Sequence, residues 1–86
     1  MAGIRYELTA HAATVIAERG IAAGWVERVL AQPERTEPDG ADPALTHALA
    51  RIAERDHRVL RVVYNAGVDP HRVITAYFDR RERGKP

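Results

Sequence analysis

The sequence contains no cysteine, so neither disulfide bonds nor thiolate metal sites brace it. It also lacks any apolar run as long as a membrane span or the core of a signal peptide, which predicts a cytoplasmic protein with no membrane partner. With 86 residues, the chain is expected to form a single domain, 1–86, with a thin core. Small chains without disulfide bonds or metal sites often gain stability from a second copy or another partner.

Lysine is almost absent, since twelve of the thirteen basic residues are arginine. Residues 1–43 hold four arginines and seven acids, whereas residues 44–86 hold nine basic residues and five acids. Arginine is suited to bidentate contact with phosphate or carboxylate. The basic second half is therefore typical both of a solvated arginine-rich face and of a local phosphate-binding patch.

The front of the chain predicts a short strand followed by two short helices. Apolar and polar residues alternate over residues 4–8, which indicates a half-buried strand. Thr9 suits the N-cap of a first helix, Ala10–Arg19, which Gly20 would end in the left-handed conformation. The apolar stripe of a second helix extends over Ala22–Ala31.

The back of the chain predicts an arginine-rich β-hairpin, Arg58–Asn65 and Arg72–Arg81, joined by turn residues. Alternation divides it into an inner and an outer face. The expected inner residues are Leu60, Val62, Ile74, Ala76 and Phe78. The expected outer residues are Arg61, Val63, Val73, Thr75, Tyr77 and Asp79.

Between these halves lie a connector and an ambiguous segment. The connector, residues 34–42, is polar and allows a short strand near Arg35–Glu37. In the ambiguous segment, residues 44–54, the apolar residues have helical spacing, and local propensity favours a helix. The same residues alternate as a strand, with Thr46, Ala48, Ala50 and Ile52 on one face.

Five segments together resemble the uncharacterised family DUF4258, in order and over nearly the whole chain. They are Thr9–Ala12, Glu18–Ile21, Val26–Pro33, Arg58–Asn65 and Val73–Arg81. The layout of this family is similar to the fold of RelE/ParE/BrnT-type toxins. That likeness implies an α+β fold in which two short N-terminal helices pack on a small antiparallel β-sheet with a C-terminal β-hairpin. It also implies a strand over Leu45–Glu54.

The toxin likeness implies a function as well. Such proteins are mostly small mRNA-cleaving enzymes or gyrase inhibitors, and they are often paired with an antitoxin. The expected activity is a metal-independent endoribonuclease or RNA-binding domain with an antitoxin partner, and with RNA or the ribosome as its target. The chain departs from the family pattern at one position. Relatives commonly have an arginine four residues after the histidine that corresponds to His11, whereas this chain has Val15 there.

Metal-independent RNA cleavage needs a base, an acid and a cation near the phosphate, and no cofactor. The candidates for these catalytic roles are His11, Arg61 and Tyr77. The candidates for RNA contact are Arg19, Thr75, Asp79, Arg80 and Arg81. No spacing of histidines indicates a metal site.

Structural roles explain several of the same residues. His11 follows a helix cap, and residues 79–81 are equally typical of a salt-bridged strand end. His47, His57 and His71 lie in polar or turn sequence and are expected to be exposed. A second hypothesis is therefore a non-enzymatic interaction module, or a homodimer, that uses the edge of the hairpin.

Overall fold

The computed structural model describes residues 5–82, in which two helices pack on one face of a five-stranded sheet. The helices are α1, Ala10–Glu18, and α2, Ala23–Ala31. The strands are β1 (Tyr6–Leu8), β2 (Arg35–Pro38), β3 (Leu45–Ile52), β4 (Arg58–Asn65) and β5 (His71–Phe78). Short 3₁₀ helices cover Ala53–Arg55 and Arg80–Glu82. The predicted α+β class is confirmed.

The order of the strands across the sheet is β1-β5-β4-β3-β2. All neighbours are antiparallel except β1, which runs parallel to β5. The sheet is therefore mixed, whereas an antiparallel sheet was expected. The crossover from β1 through both helices leads the chain to the opposite edge, so that β4 lies in the centre.

The predicted signals at the ends of α1 are confirmed. The Thr9 hydroxyl accepts a hydrogen bond from the Ala12 N–H at 3.1 Å, as an N-cap side chain does. Gly20 has a φ of 66°, the left-handed conformation that glycine adopts without a steric penalty. The short strand predicted at the start is β1, while Ile4 lies outside the described residues.

The ambiguous segment is a strand, β3, as the family resemblance implies, and the helix favoured by local propensity is wrong. The strand pairs with β4 along its whole length, from Leu45 opposite Asn65 to Ile52 opposite Arg58. It also pairs with β2 on its other side. Ladder hydrogen bonds on both sides, and burial of one face against the helices, override a weak helical preference.

A β-bulge changes the inner face of β5. Leu60 and Val62 of β4 lie in the core as predicted. The register shifts between Val63 and Tyr64, and the shift brings Val73 into the core while Ile74 stays half-buried. The expectation that Ile74 is an inner and Val73 an outer residue is wrong, because an extra residue in one strand reverses the alternation beyond it.

Among residues 5–82, no helix is both long and apolar enough to cross a membrane.

The fold depends on the thin layer between the sheet and the helices, which Leu60 fills from the central strand with no exposed surface. We expect Leu60→Ala to lower the free energy of unfolding by about 2–5 kcal/mol, because it removes buried methyl groups and leaves a cavity. Urea unfolding followed by circular dichroism measures this loss. The matched control is Leu8→Ala in β1, where the residue is 37% exposed. Equal losses in both variants would contradict the assignment of the core.

Candidate nucleic-acid interface

The face of the sheet opposite the helices carries a buried ion-pair network centred on Arg61. The Arg61 side chain is only 5% exposed. Its Nε donates to Asp79 Oδ2 at 2.8 Å, and its Nη1 donates to Glu37 Oε1 at 2.7 Å. Glu82 Oε2 lies 3.7 Å from Nη2. Arg61 is thus surrounded by carboxylates from β2, the end of β5 and the second 3₁₀ helix.

His47 extends this network to the loop before β3. Arg61 Nη1 also lies 2.8 Å from His47 Nδ1. Because a guanidinium can only donate, Nδ1 is the acceptor, and the ring donates from Nε2 to Asp39 Oδ1 at 2.7 Å. The His47 side chain is 14% exposed. The expectation that His47 is exposed is therefore wrong, and so is the same expectation for His71, which is half-buried against Tyr64.

The carboxyl groups of the network are held in their ionised form. Hydrogen bonds from Arg61 lower the pKa of Glu37. Burial raises the pKa of Asp79, but hydrogen bonds from Arg81 and Arg61 outweigh burial and leave the pKa below its ordinary value. The hydrogen bonds from His47 and two backbone N–H groups lower the pKa of Asp39 to about 2. The positive charge of Arg61 is therefore neutralised inside the protein.

The three residues predicted to be catalytic do not form one group. Arg61 and Tyr77 lie directly opposite each other on β4 and β5. His11 is exposed on α1, and this helix buries Ala12 and Ile16 against the other face of the sheet. The structure thus brings together two of the three residues and separates the histidine from them.

A second cluster of arginines lines an open cleft at the end of the sheet. The cleft has a volume of about 400 Å³, and its lining residues are Arg19, Arg55, Arg58, Tyr77, Phe78 and Arg80. A smaller hollow of about 280 Å³ shares Arg58 and Arg80 and also contacts Val59 and Asp79. We call the larger of these the arginine cleft.

The turn between β3 and β4 positions two of its arginines. Asp56 and His57 have φ values of 56° and 58°, a left-handed pair that reverses the chain within a short loop. Arg55 precedes this pair and Arg58 follows it. A tight turn between antiparallel strands requires this conformation at both central residues, and aspartate and histidine adopt it more readily than most side chains.

Aromatic rings fix these two guanidiniums. The guanidinium carbon of Arg55 lies 5.0 Å from the centre of the Phe78 ring and 5.7 Å from that of Trp25. That of Arg58 lies 4.8 Å from the Phe78 ring. Cation–π attraction of this kind orients the planar group while its N–H edges remain able to donate. Phe78 therefore holds two positive charges close together.

The cleft arginines also differ from the Arg61 network in having no acidic partner. Within residues 5–82, five arginines make no ion pair, and four of them line the cleft: Arg19, Arg55, Arg58 and Arg80. Arg19 Nη1 donates instead to the Ala76 carbonyl at 2.8 Å. Arg55 Nη1 lies 3.4 Å from the Gly20 carbonyl. Carbonyl groups hold these side chains in place without neutralising them.

The predicted RNA-contact residues are divided between the two clusters. Arg19 and Arg80 line the arginine cleft, together with Tyr77. Asp79 and Arg81 are paired with each other at the end of β5, as in the salt-bridged strand end that was the alternative. Thr75 is half-buried on β5, opposite Val63 on β4.

Sequence reasoning missed Arg55 and Arg58 as site residues. The only signal for them was their position on either side of the polar pair Asp56-His57, and that pair was not recognised as a turn. Their proximity to Arg19 and Arg80 depends on how α1 and β5 pack, which no local pattern reveals.

Comparison with known proteins identifies the family. The model of the family described as "Domain of unknown function (DUF4258)" matches residues 8–78, so the chain belongs to this family. Neither the curated proteins nor the solved structures contain a match. Among the residues that the structure describes, no group of three or more histidine, aspartate or glutamate side chains is placed to hold a metal ion.

We expect Arg61→Met to destabilise the protein by about 3–5 kcal/mol at neutral pH, because it removes the buried cation shared by Asp79, Glu37 and Glu82. The matched control is Arg51→Met, which removes an exposed ion pair with Glu34 and should cost less than about 1 kcal/mol. Urea unfolding at pH 7 measures both values. A variant at position 61 as stable as the control would contradict a central role for the network.

The stability of the wild-type protein should fall in acid. Glu37 and Asp79 have a pKa below its ordinary value in the folded state, so their contribution is present above the ordinary values of 4.5 and 3.8. It is lost as the pH falls through the lowered values. The difference in unfolding free energy between wild type and Arg61→Met should therefore narrow below about pH 4. A difference that is independent of pH would contradict this account.

Proposed function

We propose that this DUF4258 domain binds RNA through its arginine cleft. The observation that carries the proposal is the convergence of four arginines without ion pairs, within residues 5–82, on one cleft. Like charges held close together repel one another, so the cleft is stabilised by any ligand that supplies negative charge. Phosphate groups supply such charge in a geometry that a guanidinium binds with two hydrogen bonds.

RNA fits this cleft better than it fits the face of the sheet opposite the helices, where the sequence predicted contacts through Arg61, Thr75 and Tyr77. Arg61 is buried and already bonded to Asp79 and Glu37. An RNA phosphate would have to displace these carboxylates, whereas in the cleft it meets cations that have no acidic partner to lose. We therefore propose the ligand that the sequence predicted, RNA, but at the arginine cleft at the end of the sheet.

RNA cleavage is a second candidate function, and the observation that favours it is the position of Tyr77. Tyr77 is one of the residues that line the cleft, and a phenol can donate a proton to a leaving oxygen. Cleavage also needs a base for the ribose hydroxyl, and the cleft lining contains neither histidine nor carboxylate. The cleft thus supports binding better than a toxin-type ribonuclease activity.

The alternative of a protein-interaction module, with an antitoxin or a second copy, depends on a free strand edge. β4 is paired on both sides, and β1 covers β5 only over His71–Val73. On the uncovered part of β5, Arg19 and the Thr9 hydroxyl donate to the carbonyls of Ala76 and Ile74. An added strand would have to displace both donors, so pairing at the edge of the hairpin is less well supported than RNA binding.

The test is the salt dependence of RNA affinity. We expect wild-type protein to bind a fluorescent single-stranded RNA, with an affinity that falls as salt rises. In Arg58→Ala the slope of log affinity against log salt concentration should become less negative by about 0.7, because one phosphate contact contributes that amount. Arg72→Ala is the matched control, because Arg72 makes no ion pair among residues 5–82 and lies outside the cleft. Fluorescence anisotropy measures both slopes.

Two outcomes would contradict the proposal. One is the absence of RNA binding at low salt, and the other is an equal effect of Arg58→Ala and Arg72→Ala, which would indicate attraction by overall charge alone. Arg58→Lys adds a further control. Because lysine keeps the charge but not the planar contact with Phe78, it should restore only part of the affinity.

Incubation of RNA with the protein separates binding from cleavage. We expect the RNA to stay intact on a denaturing gel, because the lining offers no base. Products that wild type forms and Tyr77→Phe does not would instead establish cleavage with the phenol as proton donor.

A further inference from the structure

We propose that the arginine cleft selects a phosphomonoester at an RNA end over the phosphodiesters within the chain. This inference rests on the proposed RNA-binding function and specifies which phosphate the cleft takes. The arginines that would recognise it are Arg19, Arg55, Arg58 and Arg80.

The arrangement of charge favours an end. A phosphodiester carries one negative charge, and successive diesters along a strand suit cations arranged in a row. A monoester carries about −1.5 to −2 at pH 7 on a single group with three oxygens. The cleft arginines come from four separate elements, which are the end of α1, both 3₁₀ helices and the start of β4, and they line a single cleft. A concentrated dianion matches this arrangement better than a row of single charges does.

The aromatic rings favour recognition of phosphate over recognition of bases. Phe78 is in contact with the guanidiniums of both Arg55 and Arg58, and Trp25 with that of Arg55. Proteins that bind single strands along their length offer free ring faces on which successive bases stack. Here the rings serve instead to hold guanidiniums, whose N–H edges are left to bind oxygen.

The volume of the cleft is large enough for one terminal nucleotide with its phosphate. About 400 Å³ is within the range of sites that hold one small molecule, roughly 300–1,000 Å³. Arg19 and Arg55 each use a nitrogen to bond a carbonyl, of Ala76 and Gly20, and this pins their side chains at the wall of the cleft. The site thus has the dimensions and the fixed donors for one phosphate and its nucleotide.

The experiment compares two short RNAs of the same sequence, labelled at the 3′ end, of which one carries a 5′-phosphate and the other a 5′-hydroxyl. We expect anisotropy to show about tenfold tighter binding of the phosphorylated RNA near pH 7.5, where the monoester is a dianion. The ratio of the affinities for the phosphorylated and the hydroxyl RNA should fall as the pH drops below about 6, because the monoester then takes up a proton. Arginine keeps its charge throughout this range.

Variants and a competitor make the test decisive. Arg58→Ala should reduce the preference to within about twofold, since it removes one of the guanidiniums that the ring fixes, and Arg72→Ala should leave it unchanged. Equal binding of the two RNAs would overturn the inference and leave RNA binding standing. Failure of both RNAs to bind would overturn the proposed function as well. Adenosine monophosphate that displaces the phosphorylated RNA at a concentration equal to the RNA's own dissociation constant would also overturn the inference, because the ligand would then be a free nucleotide.

Discussion

The burial of Arg61 is the constraint on which the rest of the charged surface depends. A guanidinium that is almost excluded from water is tolerated only when its hydrogen bonds and its charge are both satisfied. Glu37, Asp79 and Glu82 meet this requirement from three different elements. The network therefore ties the edge strand β2 and the end of β5 to the central strand. Because the apolar core is thin, these buried ion pairs are a second, polar source of stability for the sheet.

The same network determines where positive charge remains. Of the five acids in the basic second half, only Asp56 makes no ion pair within residues 5–82. The other four are Glu54, Asp69, Asp79 and Glu82, whose arginine partners all lie outside the arginine cleft. The lining of the cleft is positively charged because it holds four arginines and no acid, although the net charge of the chain is only +1. Overall charge is thus a poor guide to the candidate interface, and the pairing of individual arginines is a better one.

Sequence reasoning predicted those features of the fold that depend on local chemistry. Thr9 and Gly20 mark the ends of α1, and alternation in β4 separates Leu60 and Val62 from Arg61. Local propensity alone was wrong where long-range packing decides the outcome, as in β3, which has helical spacing but which the family resemblance implied to be a strand. The candidate site shows the same division. Tyr77 and two of the cleft arginines were recognised as candidates, but their meeting with Arg55 and Arg58 follows from a turn and a ring contact that no local pattern encodes.

The central claim is that the arginines form two classes, one neutralised within the protein and one without ion pairs, which we propose binds RNA. Nuclear magnetic resonance tests it most directly, because each guanidinium Nε–H gives its own signal. On titration with a short 5′-phosphorylated RNA, we expect shifts in the signals of Arg19, Arg55, Arg58 and Arg80. The signals of Arg61 and Arg51, both bonded to carboxylates, should remain in place. Shifts confined to Arg61, or spread evenly over all the arginines, would contradict the account.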